Sequence, residues 1–77
     1  MQNVFEQLQA LLRDFMGDEV FAIERDMLLR GALGLDSYDL ASLLGAAEEH
    51  FGVEIPDRAV MAMLTVGDVV DFFEKQG

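Results

Sequence analysis

Hydrophobic residues recur at helical spacing in three long segments of the chain, which predicts three amphipathic helices. The first segment opens with Asn3 and Glu6, a pair that can form a capping box, and it ends near Gly17. We expect its apolar stripe to lie in the core and not to bind a ligand. The residues of this stripe are Val4, Phe5, Leu8, Leu11, Leu12 and Phe15.

The second segment is the most clearly amphipathic and runs from about Ser37 to Phe51. Asp36 precedes it and is a good N-cap, because its carboxylate can accept an unpaired amide hydrogen of the first turn. Asp39 adds a second negative charge at the positive end of the helix dipole. Gly52 is the predicted stop. The apolar face of this helix consists of Leu40, Leu43, Leu44, Ala47 and Phe51.

The rest of the chain predicts a short helix and a third long one. The short helix follows Pro56 and covers Asp57 to Met63, with Asp57 as its cap. Thr65 and Asp68 then form a capping-box-like start to the last helix. The buried stripe of that helix is predicted to be Val66, Val69, Val70 and Phe73.

Between Gly17 and Asp36 lies a stretch that is too long to be an ordinary linker. Its apolar residues predict that it packs across the bundle; they are Phe21, Ile23, Met27, Leu28 and Leu29. Its acidic residues lack EF-hand spacing, so we expect no dedicated metal site and only weak, adventitious binding of divalent cations; they are Asp18, Glu19, Glu24 and Asp26. The predicted fold is an all-α, four-helix up-down bundle with a long first loop and a short third helix, forming one domain over residues 1–77.

Composition and charge narrow the class of protein. The 77 residues are 52% hydrophobic and include no cysteine, which excludes disulfides and thiolate metal sites and fits a reducing compartment. No signal peptide or membrane-spanning run is recognisable, so we expect a cytoplasmic monomer without membrane insertion. A formal charge of -10 opposes binding to nucleic acid and predicts partners with basic surfaces.

Ser37 is the candidate for chemistry, because the first turn of a helix presents a hydroxyl to solvent where anions are favoured. A nucleophilic serine needs a general base beside it. The one histidine, His50, lies thirteen positions along the same helix, or about 20 Å away at 1.5 Å per residue. The two side chains cannot form a catalytic dyad. These residues alone are compatible with a plain polar residue in the first turn or with a serine that another enzyme modifies, and the first interpretation is the commoner one.

From Leu33 to Phe73 the chain resembles the acyl carrier proteins of fatty-acid and polyketide synthesis. The segment L-G-L-D-S-Y-D (33–39) is similar to the family's L-G-x-D-S-L-D, whose serine receives 4'-phosphopantetheine. The segments A-A-E-E-H-F-G-V-E-I-P-D (46–57) and T-V-G-D-V-V-D-F (65–72) resemble later family signatures. The resemblance implies that Ser37 carries the arm, with Asp36 orienting the modifying enzyme, and that the protein is a carrier of thioester-linked acyl groups and not an enzyme.

The resemblance also implies partners and surfaces. The partners would be a phosphopantetheinyl transferase and acyl-transfer, ligase and ketosynthase-type enzymes with basic docking surfaces. We call their expected contact surface the docking face, and it comprises Tyr38, Asp39, Ser42, Gly45, Glu48, Glu49 and Met61. The second and third helices would flank an acyl cavity. Its candidate lining residues, for which ordinary core packing is the alternative, are Leu44, Ala47, Val60, Met63 and Leu64.

Several residues depart from the usual family pattern. Tyr38 replaces a leucine or methionine, Ser42 often a glutamate, and Gly45 a larger apolar residue. Because all three lie on the docking face, they favour a specialised carrier over the housekeeping fatty-acid carrier. Arg25 and Arg30 are a further departure, since they place positive charge near Ser37, where it can contact a phosphate or alter docking.

Two alternatives remain beside the acyl carrier. One is an aminoacyl or peptidyl carrier of a nonribosomal pathway, although such proteins more often read G-G-x-S or G-x-H-S, and Leu35-Asp36 favours the acyl type. The other is an unmodified acidic helical adaptor.

Overall fold

The computed structural model of the protein describes residues 3–16 and 22–76. Helices within this part of the chain are α1 (Val4–Met16), α2 (Ser37–Phe51), α3 (Asp57–Ala62) and α4 (Val66–Gln76). They confirm the predicted all-α bundle with a short third helix. The predicted cap of α3 is wrong: Pro56 occupies the cap position without a side-chain hydrogen bond, and Asp57 is already helical.

The core lies where α1 packs against both α2 and α4. Its buried side chains come from α1, α2 and α4, from the first loop, and from the links on either side of α3: Leu8, Leu12, Ile23, Leu29, Leu33, Leu35, Leu43, Leu44, Ala47, Ile55, Met63, Val66, Val69, Val70 and Phe73. The ring of Phe51 stacks on that of Phe73 with centroids 4.5 Å apart, which joins the end of α2 to α4. The predicted stripe of α4 is thus confirmed in full.

Two apolar residues were placed wrongly by their pattern. Phe15 is 39% exposed although it continues the stripe of α1, and Leu28 is 52% exposed although its neighbour Leu29 is buried. Phe15 lies in the last turn of α1, beyond the buried Leu12. Phe21, the acidic pair Asp18–Glu19 and the predicted helix end at Gly17 lie outside the described residues.

The first loop is attached to the start of α4 by backbone hydrogen bonds. The amide of Leu29 donates to the carbonyl of Leu64 at 3.0 Å, and those of Val66 and Gly67 donate to Met27 and Arg25 at 3.0 and 2.7 Å. Leu28 and Thr65 form an isolated antiparallel bridge. These bonds satisfy backbone groups that a helix terminus leaves unpaired, so the loop is packed against the bundle as predicted.

Arg25 belongs to this attachment and not to the Ser37 region. Its guanidinium pairs with Asp71 of α4 at 2.7 Å, the one ion pair within the described residues. The expectation that Arg25 places its charge near Ser37 is therefore corrected. Within the same residues no helix is long and apolar enough to cross a membrane, and no three metal-ligating side chains are grouped as a metal site would require.

Candidate functional site at the start of helix α2

Asp36 begins α2 with a full capping box. Its carboxylate accepts the amide of Asp39 at 2.7 Å, and the Asp39 carboxylate accepts the amide of Asp36 at 3.5 Å. The predicted N-cap is confirmed, but the reciprocal bond was not predicted. Its signal was the acidic residue at the third helical position, the place that glutamate or glutamine takes in the usual motif.

Ser37 is exposed in the first turn, and its Oγ accepts a hydrogen bond from Nη2 of Arg30 in the first loop. The contact brings one of the two predicted arginines to the serine. His50 is not a partner of Ser37: its Nε2 lies 2.9 Å from Oε1 of Gln7 on α1. The arrangement thus offers an accessible hydroxyl beside a cation, and the one histidine of the chain lies elsewhere.

An open cleft of about 370 Å³ begins at Ser37 and runs between α2 and α3. Besides Ser37 and Arg30, its lining is Leu40, Ala41, Val60, Met61, Met63 and Leu64. A smaller cleft of about 150 Å³ continues past Arg30, Met63 and Leu64 to Leu28 and Gly31 in the first loop. The two clefts share Arg30, Met63 and Leu64, and Ser37 lines the larger one.

Three of the five residues suggested for an acyl cavity, Val60, Met63 and Leu64, line the larger cleft. Leu44 and Ala47 do not line it; they are buried in the core, the alternative that the sequence left open. Leu40 and Ala41, which do line it, were missed as cavity residues. They lie one turn before Leu44 on the helix, toward Ser37, and the position of α3 along α2 decides which turn meets the cleft.

The residues of the docking face are exposed or partly exposed. Tyr38 and Met61 stand out, with 79% and 82% of their surface exposed. Glu48 also has a structural role, because its carboxylate accepts the amide of Ile55 and so holds the link that leads to α3. Glu49, Gly45 and Glu54 lie with Glu48 around a shallow depression of about 440 Å³.

Comparison with known proteins identifies the family. The family profile described as "Phosphopantetheine attachment site" matches residues 6–73. The acyl carrier protein of Sinorhizobium fredii and the acyl carrier protein AcpP of Rhizobium meliloti are each 40% identical to the chain, over 97% of it and 96% of their own length. A solved structure from Mycobacterium tuberculosis, assigned as an acyl carrier protein, superposes with a TM-score of 0.88 at 27% identity. The alignment covers 96% of this chain and 99% of that one.

These matches confirm the resemblance drawn from residues 33–73 and favour neither the nonribosomal nor the adaptor alternative. They extend it beyond those motifs, since the profile begins in α1 and ends in α4. The chain belongs to the acyl carrier proteins, which hold acyl groups on 4'-phosphopantetheine and are carriers, not enzymes.

Proposed function

We propose that Ser37 is the attachment point of the 4'-phosphopantetheine arm. The supporting observation is the exposed Ser37 hydroxyl at the mouth of an apolar cleft. Its surroundings fit a phosphate ester, because the first turn of a helix carries unpaired amide donors and partial positive charge. When attached, the arm supplies the thiol that holds acyl groups as thioesters.

The neighbours of Ser37 would have two roles, one structural and one in binding the acyl chain. Asp36 holds the backbone of the first turn, on which Ser37 stands, through its bond to the amide of Asp39. Val60, Met63 and Leu64 would shelter an apolar acyl chain, together with Leu40 and Ala41. Removing such a chain from water is favourable by about 25 cal/mol per Å² of apolar surface.

The docking face would receive the enzymes that load the carrier and react with it. They comprise a phosphopantetheinyl transferase and acyl-transfer, ligase or ketosynthase-type enzymes. Fifteen acidic residues against five basic ones favour basic partner surfaces through electrostatic complementarity. The site of action we propose is the cytoplasm.

Tyr38 supports a more specific proposal, namely that this carrier serves a specialised pathway. Its ring projects from the first turn beside Ser37 and is 79% exposed, so it contributes little to the core. A partner that encloses this position must also accommodate the phenol hydroxyl. We therefore propose a carrier whose cognate enzymes accept tyrosine there, in place of general fatty-acid enzymes.

Mass spectrometry tests the attachment point. The protein is incubated with coenzyme A and a promiscuous phosphopantetheinyl transferase, and its intact and peptide masses are measured. We expect one added group, located on Ser37, and none on a folded Ser37→Ala variant. Ser42→Ala is the matched control, because Ser42 is the other serine of α2 and should leave loading intact. An unchanged wild-type mass would contradict the proposal.

A further inference from the structure

Arg30 is a cation placed at the candidate attachment atom. Its Nη2 donates to Oγ of Ser37, although the two residues belong to different elements, the first loop and α2. Arg30 is exposed, and no carboxylate among the described residues pairs with it. Its counterpart Arg25 is paired with Asp71. Arg30 is therefore available for a negatively charged group at Ser37.

We infer that Arg30 is a positioning residue that binds the phosphodiester of the holo protein. The inference rests on the proposed attachment at Ser37. The phosphorus of that ester is bonded directly to Oγ, the atom that Arg30 already contacts. The non-bridging oxygens of the phosphodiester are anionic, so the guanidinium would gain an ion pair in place of its bond to a neutral hydroxyl, and its planar fork is suited to phosphate.

The acidic neighbours of Ser37 make this cation important. Asp36 and Asp39 lie on either side of the serine in sequence and repel a phosphate. Their carboxylates are already committed to each other's backbone amides in the capping box. Arg30 supplies the opposing positive charge from outside the helix, where substitution leaves the cap intact.

The position of Arg30 also predicts where the arm begins. Arg30 lines both clefts, together with Met63 and Leu64. A phosphodiester held by Arg30 lies at the boundary between them, so the arm starts over apolar surface. Without the contact, the arm would leave Ser37 in any direction that solvent allows.

The test compares phosphate mobility in wild type, Arg30→Gln, Arg30→Lys and Arg25→Gln. Each protein is first loaded, and its mass is checked for the added group. The ³¹P relaxation of wild type should follow the tumbling of the whole protein, whereas Arg30→Gln should show fast local motion of the phosphate. Arg30→Lys, which keeps the charge but loses the fork, should be intermediate. Arg25→Gln removes the same charge elsewhere and should match wild type.

The unfolding equilibrium gives an independent readout when it is measured for the unloaded and the loaded forms of wild type and Arg30→Gln. In wild type, loading should lower the unfolding equilibrium constant by about twofold to fivefold, the range for an exposed ion pair, and in Arg30→Gln it should not. Added salt should reduce the difference. Equal relaxation in wild type and Arg30→Gln, or equal effects of Arg25→Gln and Arg30→Gln, would overturn this inference alone. A wild type that takes up no group would instead overturn the proposed attachment, and the inference with it.

Discussion

Helices α2 and α4 begin with the same device and use it differently. Asp36 with Asp39 in α2 and Thr65 with Asp68 in α4 exchange side-chain to backbone hydrogen bonds across the first turn. In α4 the Asp68 carboxylate also accepts the amide of Leu64, at 2.8 Å. These backbone donors, chiefly Leu64 and Thr65, hold the pKa of Asp68 below its usual value.

The residues inside the two boxes separate the roles. The first helical residue is the exposed Ser37 in α2 and the fully buried Val66 in α4. The second is Tyr38, which projects into solvent, and Gly67, whose backbone lies against Arg25 of the loop. The start of α2 is open to solvent, whereas the start of α4 is an internal joint between this helix and the first loop. A capping box therefore predicts where a helix starts, whereas the contacts around the first turn decide whether that turn is exposed or part of the packed interior.

Adding a side chain at Gly67 should have the largest effect on stability. A Cβ there would lie 3.0 Å from the carbonyl oxygen of Arg25, which accepts the Gly67 amide. We expect Gly67→Val to lower the free energy of unfolding by about 2–3 kcal/mol, measured by urea denaturation. Gly45→Ala is the control in α2, because its Cβ meets nothing within 4 Å and it should stabilise by about 0.5–1 kcal/mol. A fully stable Gly67→Val would contradict the joint described here.

Removing one carboxylate from each box should separate stability from loading. Asp68→Ala leaves the amides of Leu64 and Thr65 without their acceptor and should cost about 2 kcal/mol, with loading at the wild-type rate. Asp36→Ala should cost about 1 kcal/mol and slow phosphopantetheine transfer. Denaturation curves and loading rates of both variants measure the two effects. If Asp68→Ala slowed loading as much as Asp36→Ala, the division between joint and site would fail.

Tyr38 should limit reaction with general fatty-acid enzymes. Burying its hydroxyl without a partner in a pocket suited to leucine costs about 1–3 kcal/mol, which weakens binding by about tenfold or more. With a general ketosynthase and acyl-loaded protein, Tyr38→Leu should raise turnover, and adding Ser42→Glu should raise it further but less. Stability should hardly change, since the ring is exposed. Equal turnover of wild type and the double variant would favour the ordinary fatty-acid role.

Reversing a charge on the docking face should slow loading, whereas reversing a charge on α4 should not. Asp36, Asp39 and Glu48 are poor probes of docking, because their carboxylates hold backbone amides. Glu49 is exposed, so Glu49→Lys should slow loading by about twofold to fivefold, and less in high salt. Glu74→Lys on α4 makes the same charge change away from Ser37. Equal loading rates for the two variants would mean that net charge alone governs association.

The smallest effect should be the pH dependence of folding stability that comes from Asp68 in α4. The folded-state pKa of Asp68 lies below its ordinary 3.8, so its stabilising contribution is complete above that value and is lost as the pH falls through the folded pKa. The stability difference between wild type and Asp68→Asn should therefore be largest near neutral pH and shrink in acid. Thermal unfolding over a pH series measures it, and a difference that grew in acid would contradict the assignment.

Much of the site was predictable because its signals are local. The Asp36 cap, the stop at Gly52 and the Thr65–Asp68 box depend on residues within one turn of each other, and each was found as expected. The L-G-L-D-S-Y-D segment likewise identified Ser37 as the candidate. The cap of α3 was misplaced by one residue, since Pro56 and Asp57 are both compatible with a helix start.

Contacts between distant segments were decided by the tertiary structure alone. The hydrophobic pattern does not predict which of Leu28 and Leu29 is buried, because the loop has no helical period. In the structure, the bridge between Leu28 and Thr65 orients this part of the loop so that Leu29 is buried and Leu28 is exposed. The same packing directs Arg25 to Asp71 and Arg30 to Ser37. A one-dimensional pattern records what each residue prefers within its own turn. Partners 40 or more positions apart, as Arg25 and Asp71 are, become neighbours only when the helices and the loop bury their apolar surfaces together.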